Sequence, residues 1–217
     1  MGDIVLWGRS SSSNVQKVLW TLAELGLAYR QREVGGEHGG LDTPEFRALN
    51  PLGRIPVLTD GNLAVWESSA IIRYLAASYG LGSLWPESPA QRSHVDRWLD
   101  WVLSTLQPAF TRLFIGYYRT PEAERSPDLV DAARAACARN FAILDEHLGK
   151  QAFLAGDQFT MADIPPGPAL YRYLNLGLEI AELANVRAWH ERLAARAGYR
   201  QHVMVSFREL YGQTLGG

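Results

Sequence analysis

Near residue 80 the hydrophobic pattern of this chain changes period, and that change limits the available folds more than any other feature. Before it, short apolar runs bounded by turn residues alternate with amphipathic stretches. "DIVLW" (Asp3–Trp7) reads as a buried strand. Val15, Val18, Leu19, Leu22 and Leu25 then recur at helical spacing up to Gly26. "AYRQREV" (Ala28–Val34) reads as a second strand, and "IPVLTD" (Ile55–Asp60) with "LAVW" (Leu63–Trp66) as a hairpin turning on "DGN". "SSAIIRYLAASYG" (Ser68–Gly80) is a helix closed by glycine. The order is β-α-β, a loop region, β-β, then α.

Beyond Gly80 the Pro- and Gly-bearing stretch "LGSLWPESPA" leads into a region that reads as almost entirely helical. Val95, Trp98, Val102, Leu106, Phe110, Leu113 and Tyr117 form one stripe, and Leu129, Ala133, Ala136, Phe141, Leu144 and Leu148 form another. Shorter helices are expected near Thr160–Leu176 and Val186–Ala197. The pattern predicts an α/β domain over residues 1–80, a linker over 81–90 and an all-α domain over 91–217.

Composition removes several function classes. The 217 residues carry 21 basic and 23 acidic side chains, so a net charge of -2 gives no electrostatic reason to expect nucleic acid or an anionic membrane. No apolar run approaches spanning length. "MGDIVLW" enters a strand pattern directly, without the zones of a signal peptide, and the single cysteine, Cys137, has no internal disulfide partner. A reducing cytoplasm is the expected location. There is no CxxC, no G-x-G-x-x-G, no Walker lysine and no HExxH, and the five histidines lack metal-ligand spacing, so no metal is expected.

Three stretches remain that could carry chemistry. Ser10–Ser13 lie between a strand and a helix. There a serine is ordinarily a cap. The same position is also an anion site, where unpaired N–H groups and the positive helix end stabilise a thiolate to which a hydroxyl can donate. In "LNPLGRIPVL" (Leu49–Leu58), Pro56 either opens an edge strand or follows a cis peptide. In "AVWESSAIIRYLA" (Ala64–Ala76), Glu67 and Ser68 stand where strand gives way to helix. They are either cap and solvated charge, or partners for a ligand's ammonium and carboxylate.

Together these stretches fit a thioredoxin-like β-α-β-α-β-β-α unit followed by an all-helical bundle. With "SSNVQKVLW", "ELGLAYR", "PEFRALNPLGRIPVL" and "ESSAIIRYLA" in this order, the chain resembles the cytosolic glutathione transferase family, of serine-bearing theta-like or nu-like bacterial type. "FLAGDQFTMADI" (Phe153–Ile164) resembles the capping-box segment of that family's second domain, with Thr160 and Asp163 in structural roles.

The resemblance implies an enzyme that activates the glutathione thiolate for attack on a small hydrophobic electrophile, a detoxification chemistry. Ser12 matches the sulfur-activating hydroxyl, with Ser11 as its neighbour and Asn14 as a second donor. It also implies a cis Ile55–Pro56 bond against the cysteinyl unit, Glu67 and Ser68 at the γ-glutamyl end, and Arg54, or more weakly His38, at the glycyl carboxylate. Leu106, Phe110, Leu113, Phe114 and Tyr117 are expected to line the electrophile pocket, although such a stripe is also what a core helix shows. A homodimer is implied, with Asp96 or Asp100 as candidates to reach a partner's site. Peroxide or glutathione-disulfide reduction of nu-like type is the alternative chemistry. A non-enzymatic ligand-binding or assembly protein on the same fold is the alternative class.

Overall fold

The computed structural model of the chain describes residues 3–213. Strand β1 (Ile4–Trp7) is buried at every position, because both faces of the sheet are covered. Ile4 and Leu6 point into a cluster with Val15, Val18, Leu19, Leu22, Ile71 and Leu75. Val5 and Trp7 pack on the other side with Phe46 and Val57. The period-2 alternation of a strand delivers its residues to two different cores.

Helix α1 (Ser13–Glu24) follows β1, and β2 (Arg30–Arg32) returns parallel to it. This strand is shorter than the Ala28–Val34 run and lies at the sheet edge, where its arginines stay exposed. The expected loop region contains a further helix, α2 (Pro44–Leu49), started by Thr43, whose Oγ1 accepts from Phe46 N. Only Phe46 of this helix is buried, too little apolar periodicity to mark a helix by pattern. Strands β3 (Val57–Asp60) and β4 (Leu63–Trp66) complete a four-stranded sheet in the order β2-β1-β3-β4, and α3 (Ser68–Tyr79) packs back beside α1.

The rest of the chain is helical. A continuous rod runs from α4 (Pro89–Trp101) through α5 (Gln107–Leu113) to Arg119, interrupted by π-helical turns at Val102–Leu106 and Phe114–Arg119. The first widened turn lies just before Pro108, whose ring and missing N–H do not fit a regular helix interior. Then come α6 (Pro127–Leu148), α7 (Gly167–Leu174), α8 (Ala184–Ala194) and α9 (Ala197–His202). The helix expected near Thr160–Leu176 is split into a single 3₁₀ turn, Met161–Asp163, and α7, with Pro165 and Pro166 between them. The second stripe also needs correcting at one end: Leu129 is 71% exposed, because its neighbour Val130 is the residue of that turn that faces the helical core.

One large core joins the two regions. Trp20, fully buried on α1, belongs to the helical core and stacks edge-on against Tyr199. Gly167 permits that approach: a Cβ there would lie 2.5 Å from the Trp20 ring. Glu24 on α1 holds Arg196 through a two-point ion pair at 2.6 and 2.9 Å, screened by the surrounding residues. Among the described residues no helix is long and apolar enough to cross a membrane.

Candidate active site

The serine turn begins at Gly8, which has φ 145° and a backbone so close to α1 that a Cβ would lie 2.5 Å from Val15 Cγ2. The four serines then diverge. Ser10 turns toward β2, its hydroxyl donating to Glu33 (3.0 Å) and accepting from Gln31 (2.9 Å). Ser11 is held by two arginines. Arg9 donates to its Oγ at 2.6 Å, and Arg172 of α7 donates to its carbonyl at 2.9 Å.

Ser12 occupies the N-cap position of α1 in extended conformation, yet its hydroxyl makes no capping bond to the helix. Its backbone carries the turn instead, N–H to Arg9 O and carbonyl from Gln16 N. The hydroxyl is partly exposed and makes no hydrogen bond among the described residues. Ser13 is the first helical residue.

Asn14 accepts at Oδ1 from Lys17 Nζ (2.9 Å) and, weakly, from Ser68 Oγ (3.5 Å), so its Nδ2 is left to donate elsewhere. It lines a recess with Asn50, Arg54, Ile55, Pro56, Glu67 and Ser68. Six of these seven are residues that the sequence singled out. The Ile55–Pro56 bond is cis. Glu67 is the one non-glycine residue with positive φ (69°) among the described residues, a backbone state that costs roughly 1–3 kcal/mol and concentrates at ligand-holding positions. It precedes α3, whose first N–H groups have no intrahelical acceptor. Arg54 and Glu67 are exposed at the rim, while Ser68 is buried. The recess therefore offers two helix N-termini, an exposed guanidinium, an exposed carboxylate and a free carboxamide N–H. That set suits a zwitterionic peptide with a further carboxylate and a thiolate.

Other candidates stand elsewhere. Ser12 is not in the lining itself but two residues before Asn14. His38 lies on an exposed 3₁₀ turn beside Glu33 and Glu37, away from the recess. Leu106 and Leu113 are fully buried and Phe110 nearly so; they pack α5 into the helical core and have no surface to offer a ligand. Phe114 is also buried, stacked between Phe110 and Tyr118, and only Tyr117 of the five is half-buried. Asp96 and Asp100 both pair with Arg73 of α3 in the same chain.

Asn50, Arg172, Gln107 and Lys17 were not anticipated. Asn50 is buried and pins the loop before Pro56, donating to Arg54 O at 2.8 Å and accepting from Leu52 N at 3.0 Å. Its signal was an Asn-Pro turn pair, which local reading assigns to chain reversal. Arg172 is 5% exposed and sits over the rings of Phe114 (5.0 Å) and Phe207 (5.6 Å). Burial, aided by Arg9, holds its pKa down to about 10, so it stays charged at neutral pH. Lys17 is 3% exposed, and burial with Arg172 nearby lowers its pKa to about 8. Cys137 is fully buried and its thiol is pushed up to about 12 by burial, which leaves it inert as a nucleophile.

Comparison with known proteins identifies the family. The family profile for glutathione S-transferase N-terminal domains matches residues 11–78, and that for glutathione S-transferase C-terminal domains matches residues 88–197. Glutathione S-transferase GstB of Escherichia coli K12 is 42% identical over 204 residues, 93% of this chain and 98% of that protein. A theta class glutathione S-transferase from Xanthomonas axonopodis pv. citri, solved with glutathione bound, superposes with TM-score 0.90 at 47% identity, over 95% of this chain and 99% of that one. Glutathione transferase URE2P6 from Phanerochaete chrysosporium, solved in complex with oxidized glutathione, gives TM-score 0.84 at 27% identity, over 94% and 98% of the two chains.

Proposed function

The chain belongs to the glutathione S-transferase family and is a glutathione transferase, and from that premise we propose that it conjugates glutathione to small hydrophobic electrophiles, with Ser12 as the donor to the sulfur. The observation that carries this reading is the single recess shared by Asn14, Arg54, Ile55, Pro56, Glu67 and Ser68. In it the γ-glutamyl ammonium meets Glu67, the γ-glutamyl carboxylate meets Ser68 and the N-terminus of α3, and the glycyl carboxylate meets Arg54. The sulfur then lies toward the start of α1, where the unengaged Ser12 hydroxyl and the Asn14 Nδ2 donate to it. Ser11, tied to Arg9 and Arg172, holds the turn. The thiol proton leaves to solvent, the thiolate attacks the electrophilic carbon, and the leaving group departs with its electron pair.

Magnitudes keep the hydroxyl's role in proportion. A free thiol with pKa ~8.5 is about 3% thiolate at pH ~7. Lowering it by roughly two units ionises most of it, but nucleophilicity falls with a Brønsted slope of ~0.4–0.5, so the net gain is about several-fold. Most of the acceleration must come from holding the electrophile beside the sulfur. We assign that to the face between the sheet region and the helix containing Tyr117, in a homodimer.

A second chemistry is favoured by one specific observation: a relative of 27% identity is described in complex with oxidized glutathione. Attack of the same thiolate on a mixed glutathione disulfide breaks its S–S bond, forming glutathione disulfide and expelling the other thiolate. Attack on a hydroperoxide breaks the O–O bond to give an alcohol and the sulfenic acid of glutathione, which a second glutathione converts to the disulfide and water. Neither route needs a protein cysteine, and Cys137 is buried. The test is direct. Retention on immobilised glutathione, then turnover of a chlorodinitrobenzene, a hydroperoxide and a mixed glutathione disulfide, compares the reactions. Absence of all three activities despite binding would overturn the proposed reactions.

A further inference from the structure

We propose that Lys17 is a positioning residue of the thiol site: its ammonium fixes the Asn14 carboxamide with the N–H end toward the recess and places a positive charge behind the sulfur. The inference rests on the glutathione site described above and goes beyond it by adding a residue that touches no ligand.

Lys17 sits within α1 among Val15, Val18 and Leu19, at a position where an apolar residue would cost nothing to bury. The other lysine of the chain, Lys150, is exposed and paired with Glu146, as lysines ordinarily are. Lys17 instead donates to two neutral amides, Asn14 Oδ1 at 2.9 Å and Gln107 Oε1 at 3.0 Å, with no carboxylate within ion-pair distance among the described residues.

An ammonium has donors and no acceptor. Asn14 therefore presents oxygen to Lys17, and a carboxamide that presents oxygen on one side presents N–H on the other. Serine alone cannot set this orientation, since a hydroxyl donates or accepts equally well; Ser68 Oγ follows by donating to the same oxygen. Gln107 anchors the arrangement from the helical region. It stands directly after the π-helical turn Val102–Leu106 and is itself braced by Nε2 donating to Thr111 at 3.2 Å. A second-domain side chain thus holds a first-domain donor in place, although the recess is lined from the first region only.

The charge serves a second purpose. The charged groups that act on Lys17 from the packed elements are Arg172 of α7, which disfavours its proton, and Glu67 before α3, which favours it. A buried cation short of anions is costly on its own and is relieved when an anion arrives. A thiolate at the start of α1 is such an anion, and by linkage the ammonium stabilises the thiolate as much as the thiolate stabilises the ammonium.

The experiment is a pH titration of the thiolate absorbance of enzyme-bound glutathione, with kcat and KM on a chlorodinitrobenzene, in wild type, Lys17→Met, Lys17→Arg, Gln107→Leu and Asn14→Ala. Expected for Lys17→Met is a bound-thiol pKa raised by about one unit, which below that pKa is roughly a tenfold loss of thiolate; because the more basic thiolate is also the better nucleophile, kcat falls by only about 3- to 4-fold. The loss recovers at high pH, while KM for glutathione changes little. Lys17→Arg keeps the wild-type profile. Gln107→Leu shifts it in the Lys17→Met direction by less, and decides the matter if Lys17→Met does not fold. In the Asn14→Ala background Lys17→Met loses part of its effect, because the route through the amide is gone. A pH profile unmoved in both Lys17→Met and Gln107→Leu overturns the inference and leaves Lys17 a structural residue. Wild type that binds no glutathione fails earlier, at the site itself.

Discussion

Two short polar turns in this molecule look alike in sequence and differ in what they leave unsatisfied. At Thr160–Asp163, every acceptor is occupied. Asp163 is fully buried and takes N–H bonds from Thr160 (3.1 Å), Leu154 (3.0 Å) and Trp189 (3.0 Å), while Thr160 Oγ1 takes Ala162 N (3.3 Å). At Ser12–Asn14 the N-cap hydroxyl makes no cap and the amide N–H is unengaged. A closed polar network stabilises, whereas an open one beside a recess has capacity left for a ligand. Residue type does not separate the two cases; the count of satisfied donors and acceptors does.

The sharpest way to break this contrast is at Asp163. Asp163→Ala strands three buried N–H donors and is expected to cost about 3–5 kcal/mol of unfolding free energy, from roughly 1–3 for each donor with partial relaxation. Chemical denaturation reads it, and a loss below about 1 kcal/mol, the net worth of one ordinary hydrogen bond, would mean that the network is not structural. Activity per folded molecule should stay near wild type.

Asn14→Ala comes next. Removing one donor to the thiolate is expected to lower kcat/KM by about fivefold, since part of the lost ionisation is returned as greater nucleophilicity, with less than about 1 kcal/mol lost in stability. Equal stability loss and unchanged kcat/KM would reverse the assignment of the two turns.

Ser12→Ala is expected to be milder, about two- to threefold in kcat/KM, if its hydroxyl acts as proposed, donating to the sulfur without attacking. Because it makes no cap bond, the stability change should fall well short of the roughly 1 kcal/mol typical of a lost N-cap. A cap-sized loss would show that the turn is structural after all.

A pH dependence tests the closed turn a second way. Burial raises the Asp163 pKa from 3.8 to about 6, so between these values the native state keeps a proton that the unfolded chain has released. Its contribution to stability is full below pH ~4, falls as pH rises toward ~6, and is flat above. Tracking the unfolding free energy of wild type minus that of Asp163→Asn across this window checks the sign. A difference that rises with pH would mean the N–H donors outweigh burial and hold the carboxylate ionised.

Much of the frame was legible in the chain. β1, α1, the β3–β4 hairpin and α3 follow from apolar runs and their period, and the Thr160–Asp163 box from its spacing. Asn14, Arg54, Ile55, Pro56, Glu67 and Ser68 were selected by type and by resemblance, and they do line one recess. Helix α2 was not visible in the pattern, because Phe46 alone is buried in it. The Leu106–Leu113 stripe was visible as apolar, but nothing in its period distinguishes a core from a pocket.

What the sequence by itself determined is local: which segments extend, which coil, and which polar residues fall at their junctions. Those outcomes depend on contacts within a few residues. Only the tertiary structure decided that Ser11 is held by Arg172, 161 positions away, that Lys17 meets Gln107, 90 positions away, and that Asp96 and Asp100 face Arg73. Partners so distant are chosen by how the helical region packs against α1 and α3. The hydrogen-bond capacity that packing leaves unspent defines the site.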